Sequence, residues 1–162
     1  MKINEASLSK SAQKIQDILS TKNIKTTVVE LAATTRTAQE AADAIGCAVA
    51  QILKSLVFQT KETKEPILVL ASGINRVNEK LIAQHVGQKI ERADADFVRE
   101  VTGFAIGGIP PIGHAQKIKT FVDQDLFQYD QLWAAAGTPH AVFSLSNQDL
   151  KSLTDVIIIQ VV

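Results

Sequence analysis

The chain has 162 residues, 46% of them hydrophobic and 21% charged, the length and composition of one globular domain spanning 1–162 rather than of a disordered or collagen-like chain. Its 17 Lys and Arg balance 17 Asp and Glu. A formal net charge of zero argues against tight, salt-driven, non-specific nucleic-acid binding, though it leaves room for a small basic patch beside a pocket.

The first element is an amphipathic helix of about three turns, because Leu8, Ala12, Ile15, Ile18 and Leu19 recur at helical spacing. Asn23 punctuates it, and the β-branched run over residues 26–31 reads as a strand. Thr37-Ala38-Gln39-Glu40 has the form of a capping box opening an alanine-rich helix that stops at Gly46. Residues 48–54 read as a further helical turn or two leading into a strand over 56–60. A polar turn and a second apolar strand over 67–71 follow, which makes an antiparallel hairpin. Asn78 caps a helix ending at Gly87, and Asp94 or Asp96 starts another that closes at Gly103. Three more strands are expected over 118–122, 141–145 and 156–162, with a helix capped at Ser146 before the last. Hairpins mixed with helices give an α+β domain with a mixed, curved, barrel-like sheet flanked by helices.

Residues 103–114 are different in kind. They hold Gly103, Gly107, Gly108 and Gly113 among the chain's eight glycines, and Pro110 and Pro111 among its four prolines. Glycines let a ligand approach peptide groups, prolines stiffen the turn, and consecutive exposed amides can cradle an anion or oxyanion. The competing reading is a structural crossover loop packing apolar side chains. The spacing is neither a phosphate-binding Walker loop nor a dinucleotide fingerprint. Lys54, at the entrance to a strongly apolar strand, is the second feature. Its ammonium could hold a phosphate or neutralise an oxyanion, or serve only as a solvated charge at a helix end.

Other chemistry is weakly represented. The single Cys47 cannot form an internal disulfide and reads as a small buried hydrophobe; His85, His114 and His140 have no metal-ligand spacing, so neither metal nor cofactor is expected. No Gly-x-Ser-x-Gly elbow supports a serine triad. Residues 1–10 lack the apolar stretch of a secretion signal, and apolar runs such as 67–71 and 132–136 fall far short of the ~20 residues that cross a bilayer. A reduced, cytoplasmic protein with no membrane partner is the expectation.

Several landmarks occur in an order that resembles the YbaK/EbsC family, freestanding relatives of the editing domain inserted in bacterial prolyl-tRNA synthetases. They are the run from Thr35 to Ala42, then Gln51-Ile52-Leu53-Lys54-Ser55-Leu56-Val57, then Leu68-Val69-Leu70 followed by Gly73 and Arg76-Val77, then Thr102-Gly103-Phe104 with Gly107-Gly108-Ile109-Pro110-Pro111-Ile112-Gly113, and finally Ser146 with Leu150. The likeness runs over about residues 25–155. It implies a trans-editing deacylase that hydrolyses the ester of a mischarged tRNA, most plainly proline tRNA carrying a cysteine- or alanine-like residue. The partners implied are the acceptor end of aminoacyl-tRNA and, as a candidate, prolyl-tRNA synthetase. Catalytic roles carry over to Lys54, Gly107 and Gly108. Substrate contacts carry over to Thr35, Phe58, Ile109 and Pro110, and further to Pro111, Gly113, His114 and Gly137. The chain departs from alanine-clearing relatives, which carry a His-Pro pair where Ala134–Pro139 stands here; His140 is out of register and receives no catalytic role. The alternative reading is a non-catalytic module that binds aminoacyl-tRNA or a synthetase. Oligomeric state is left open by the sequence.

Overall fold

The computed structural model describes residues 1–3, 7–153 and 155–162. Residues 4–6, inside the stretch read for a secretion signal, and residue 154, inside the span of the resemblance, lie outside the described residues. Helix α1 (Lys10–Thr21) starts at Ser9, whose hydroxyl accepts from the Ala12 N–H, and buries Ala12, Ile15 and Leu19 along one face. The strand expected over 26–31 shrinks to β1 (Val29–Glu30). Gln16 of α1 is the reason. Its side-chain oxygen accepts from the Val28 N–H at 2.8 Å and its amide donates to the Thr26 carbonyl at 3.3 Å, satisfying backbone groups a ladder would otherwise use.

Helix α2 (Ala38–Ile45) begins after Thr37 and ends at Gly46, which adopts φ 86°. The capping box is half formed: Thr37 Oγ1 accepts from the Glu40 N–H at 3.1 Å, but the Glu40 carboxylate accepts from the Thr34 hydroxyl at 2.8 Å instead of reaching back. Thr37→Ala therefore removes one real cap, and about 1 kcal/mol of stability should go with it. Urea unfolding reads this as a lowered midpoint at unchanged slope; an unmoved midpoint contradicts it.

The helical turn expected over 48–54 is a single 3-10 turn, Val49–Gln51, and β2 (Ile52–Thr60) begins at Ile52 rather than at Leu56. Two neighbours hold these residues extended. Ile52 and Leu53 pair in parallel with Trp133 and Ala134, while Leu53 and Lys54 pair antiparallel with Ser72 and Ala71. Lys54 thus lies inside a strand, on the face that carries Ile52, Leu56 and Phe58. The hairpin with β3 (Pro66–Ser72) runs in register from Leu53↔Ser72 to Gln59↔Pro66, as the sequence suggests.

Helix α3 (Glu79–Val86) is capped by Asn78 and stops at Gly87, and α4 (Ala95–Thr102) is capped by Asp94 and stops at Gly103. Between them lies a short strand the sequence did not announce, β4 (Ile90–Arg92). After the Gly-Pro loop come β5 (Lys119–Asp123), a 3-10 turn (Gln124–Gln128) and a second unannounced strand, β6 (Gln131–Ala135). Strand β7 (Ala141–Ser146), helix α5 (Asn147–Ser152) with a complete Ser146–Asp149 capping box, and β8 (Val156–Ile159) follow. That last strand is shorter than the expected 156–162.

Among the described residues the strands form one mixed eight-stranded sheet in the order β1-β7-β6-β2-β3-β5-β8, with β4 attached to β2. The architecture is α+β, a mixed sheet flanked by helices. One face, with Leu53, Val57, Leu70 and Phe143, packs on α1 and α4 as the main core. The other face is covered in two patches: α2 sets Ala41 and Ala42 on Ile52 and Trp133, and α3 sets Ile82 on Phe58, Val69 and Phe121. Lys54 falls between those patches. The sheet edge opens at the same place, because the β6 pairing ends at Leu53 and the β4 pairing starts at Phe58.

Candidate active site

That opening is a cavity of about 390 Å³, within the size range of small-molecule sites. Its polar side comes from Thr35, Arg36, Thr37, Lys54 and Ser55, its apolar wall from Ile45, Ile52, Trp133 and Val142, and its lip from Ile106, Gly107 and Ile109. Lys54 and the first half of the Gly-Pro loop therefore line one space. The first residues of α2 line it too, so the positive end of that helix adds to Lys54 and Arg36 in favouring an anion.

The Lys54 ammonium is half-buried and donates to the Asn75 carbonyl at 2.6 Å. Burial pulls its pKa below the ordinary 10.5, and the Asp123 carboxylate opposes that pull. Gly73, at the end of β3, lets the following turn come this close: a Cβ there would lie 2.4 Å from the Val49 carbonyl oxygen. Ser55 Oγ is buried and has no hydrogen-bond partner among the described residues. It stands ready to meet a polar group brought into the cavity.

The loop is clasped at several points. The Thr102 hydroxyl accepts from the Phe104 N–H at 3.0 Å, and the Ala115 N–H donates to the Thr102 carbonyl at 3.0 Å, which closes the loop's ends. Gly107 adopts φ 95° against the Arg36 side chain, and its N–H has no acceptor among the described residues. Gly108 is buried behind it: its N–H donates to Ala105 at 3.1 Å and its carbonyl accepts from Gly137 at 2.9 Å. Of the two, Gly107 is the one that lines the cavity.

The remaining candidates divide between walls and scaffold. Thr35 lines the cavity, and both its N–H and its hydroxyl donate to the Pro139 carbonyl, at 2.6 and 2.9 Å. Ile109 lines it as well. Phe58 does not; it is 4% exposed in the cluster under α3. Pro110 is buried within the loop, while Pro111, Gly113 and His114 border a different hollow near Lys22 and Ile118. Gly137, at φ 97°, sits against Ser11 of α1 and Phe104, holding the loop from behind. Arg36, Trp133, Asn75 and Asp123 escaped the sequence reading. Arg36 stood inside the Thr-Arg-Thr segment, and the other three carried no local signal.

His114 works as a clasp. Its Nε2 lies 2.7 Å from the Pro110 carbonyl, which can only accept, so that nitrogen carries the proton. Burial lowers its pKa from the ordinary 6.5; Lys14 acts the same way and the Pro110 bond opposes both. The unfolded chain then binds a proton below pH 6.5 that the folded one resists, so stability contributed above that value is lost as pH falls through the lower folded pKa. Acidification below 6.5 should destabilise the wild type, and His114→Gln should flatten that stretch of the profile. Equal slopes in the two proteins contradict this. Cys47 packs half-buried with the α2 cluster, and burial raises its pKa, as suits an inert thiol.

The chain can now be set beside known proteins. The family pattern described as aminoacyl-tRNA editing domain matches residues 32–153, which include every residue lining the cavity. The uncharacterised protein YwhH of Bacillus subtilis is 29% identical over 132 residues, 82% of this chain and 83% of that protein. EbsC of Enterococcus faecalis, whose name assigns it provisionally to Cys-tRNA(Pro)/Cys-tRNA(Cys) deacylation, is 26% identical over 126 residues, 72% of this chain and 76% of its own. A crystal structure described provisionally as a trans-editing enzyme for prolyl tRNA synthetase superposes with a TM-score of 0.87 at 44% identity, covering 95% of this chain and 98% of that one.

Proposed function

The chain belongs to the aminoacyl-tRNA editing domain family, of the YbaK/EbsC type, and on that premise we propose that it hydrolyses in trans the ester bond of a mischarged tRNA. The preferred substrate is proline tRNA carrying a small non-cognate amino acid, cysteine- or alanine-like. The observation that carries this reading is the shared cavity: a half-buried ammonium and an unpaired loop amide line one space with an anion-favouring helix end. The small residues Ala38, Ala41, Ala134 and Ala135 in its walls suit a small side chain. Relatives named for Cys-tRNA deacylation and for editing beside prolyl tRNA synthetase support the choice of tRNA.

In the reaction, water adds to the ester carbonyl, negative charge gathers on the carbonyl oxygen, and the carbon–oxygen bond to the ribose breaks. The ribose oxygen takes up a proton and the free amino acid leaves. Lys54 and the Gly107 N–H offer that oxygen a cation and a dipole, and Arg36 with the α2 end receives the terminal phosphate. No carboxylate or imidazole is among the described residues lining the cavity. A neighbouring ribose hydroxyl of the tRNA is then the group left to orient the water, and positioning accounts for much of the rate. The zero net charge implies weak binding of free tRNA, so the enzyme works beside a synthetase, prolyl-tRNA synthetase being the candidate, in the cytoplasm where tRNA is charged.

The test is a panel of proline tRNAs charged with alanine, cysteine, serine and proline, followed by release of the labelled amino acid. Faster loss of alanine or cysteine than of proline is expected. Equal, background-level loss of all four overturns the proposal, and binding of the charged tRNA without turnover would establish the recognition-module reading instead.

A further inference from the structure

Behind Lys54 lies a set of charges that the proposed reaction does not use. Asp123, at the end of β5, is 0% exposed. Its carboxylate accepts from the Ser72 N–H at 3.0 Å, from the Asn75 side-chain amide at 2.8 Å and from the Asp125 N–H at 2.9 Å. All three partners are donors, the pattern an ionised carboxylate requires, because a protonated one would bring a proton with no acceptor to receive it. Asn75 is the hinge of the set: its side-chain amide also donates to Asp125 at 2.8 Å, and its backbone carbonyl accepts from the Lys54 ammonium at 2.6 Å.

Tying the turn to the sheet end needs acceptors and no net charge, and a buried ion is costly unless something offsets it. Among the described residues, Asp123 and Asp125 both bond the residue that holds the ammonium, and Arg36 lines the same cavity. We propose that Asp123, acting through Asn75, is a positioning residue for the deacylation: it keeps the Lys54 ammonium charged and fixes where it enters the cavity. This rests on the reading of Lys54 as the ammonium that serves the ester. Burial alone drives Lys54 toward the neutral amine, and Asp123 is the nearby charge that resists it. Since the ammonium is the working form, turnover falls as pH rises through its pKa, and removing Asp123 brings that fall to lower pH.

The experiment compares the wild type with Asp123→Asn, which keeps the size and one acceptor but removes the charge. Two quantities are followed against pH: deacylation of the mischarged tRNA, and the Lys54 side-chain nitrogen resonance in the free protein, assigned with Lys54→Arg. Both alkaline transitions are expected at lower pH in the variant, with kcat above the wild-type transition down about tenfold per unit of displacement and KM little changed. A lower melting temperature with both transitions in place overturns the proposal, since that is what a purely structural carboxylate would give. If Asp123→Asn does not fold, Asp123→Ser, which also removes the charge, replaces it with the same expected direction, and an unmoved Lys54 resonance there overturns the proposal equally. The resonance needs no substrate. A displaced resonance in a protein that hydrolyses no ester shows that Asp123 holds the Lys54 charge but overturns both the deacylase reading and the positioning role in it; hydrolysis with an unmoved resonance overturns the positioning role and leaves the deacylase reading in place.

Discussion

Lys54→Ala is expected to cripple the proposed deacylation and to leave the protein folded. The deleted ammonium is the one cation on the polar side of the cavity held by the sheet itself, and removing a single preorganised oxyanion partner costs about 10²–10³-fold in turnover. The fold should survive because Lys54 lies between the α2 and α3 patches and contributes to neither. What the structure loses is one hydrogen bond to the Asn75 carbonyl, about 1 kcal/mol net. Single-turnover release of amino acid and a thermal melt on the same preparation check both halves. Wild-type turnover in the variant removes Lys54 from the mechanism.

Gly108→Ala has the second large effect, and it reaches the cavity indirectly. A Cβ at Gly108 would lie 2.9 Å from the backbone N, Cα and C of Thr138. No side chain can rotate away from such a contact, so backbone must move. The Gly137–Gly108 hydrogen bond joins these segments and Thr35 holds the next residue, Pro139, so the displacement spreads to the cavity wall. Overpacking of this kind costs about 1–3 kcal/mol, and a shift of about 1 Å in the adjacent Gly107 amide can cost a further ~10²-fold in rate. A lowered melting temperature together with a fall in kcat is expected. Unchanged values of both would mean that the loop is not clasped to residues 137–139 in solution.

Local backbone rules were legible from the chain alone. Thr37, Asn78, Asp94 and Ser146 open helices and Gly46, Gly87 and Gly103 close them, because capping depends on residues a turn apart. Strand β6 was hidden because both of its faces are covered. Leu132 and Ala134 enter the main core while Trp133 and Ala135 line the cavity under α2, so no alternation of apolar and polar residues marks it. Strand β1 was overread because its missing ladder is supplied by Gln16, on a separate helix.

The site divides in the same way. Lys54 and the Gly-Pro loop carry recognisable local motifs. The arrangement behind Lys54 joins residues 21 and 48 positions apart through a carbonyl and an amide, and nothing near Asn75 or Asp123 in the chain announces it. Phe58 shares Lys54's face by strand alternation, yet α3 covers it. Alternation gives the face and says nothing about what lies over it.

The most direct measurement uses a non-hydrolysable amide analogue of an aminoacylated adenosine, titrated into the isotopically labelled protein. Joint movement of the Gly107 amide and the Lys54 side-chain resonances, saturating at one ligand concentration, is the result this account gives. Movement confined to the hollow around His114, with Gly107 and Lys54 undisturbed, would contradict it.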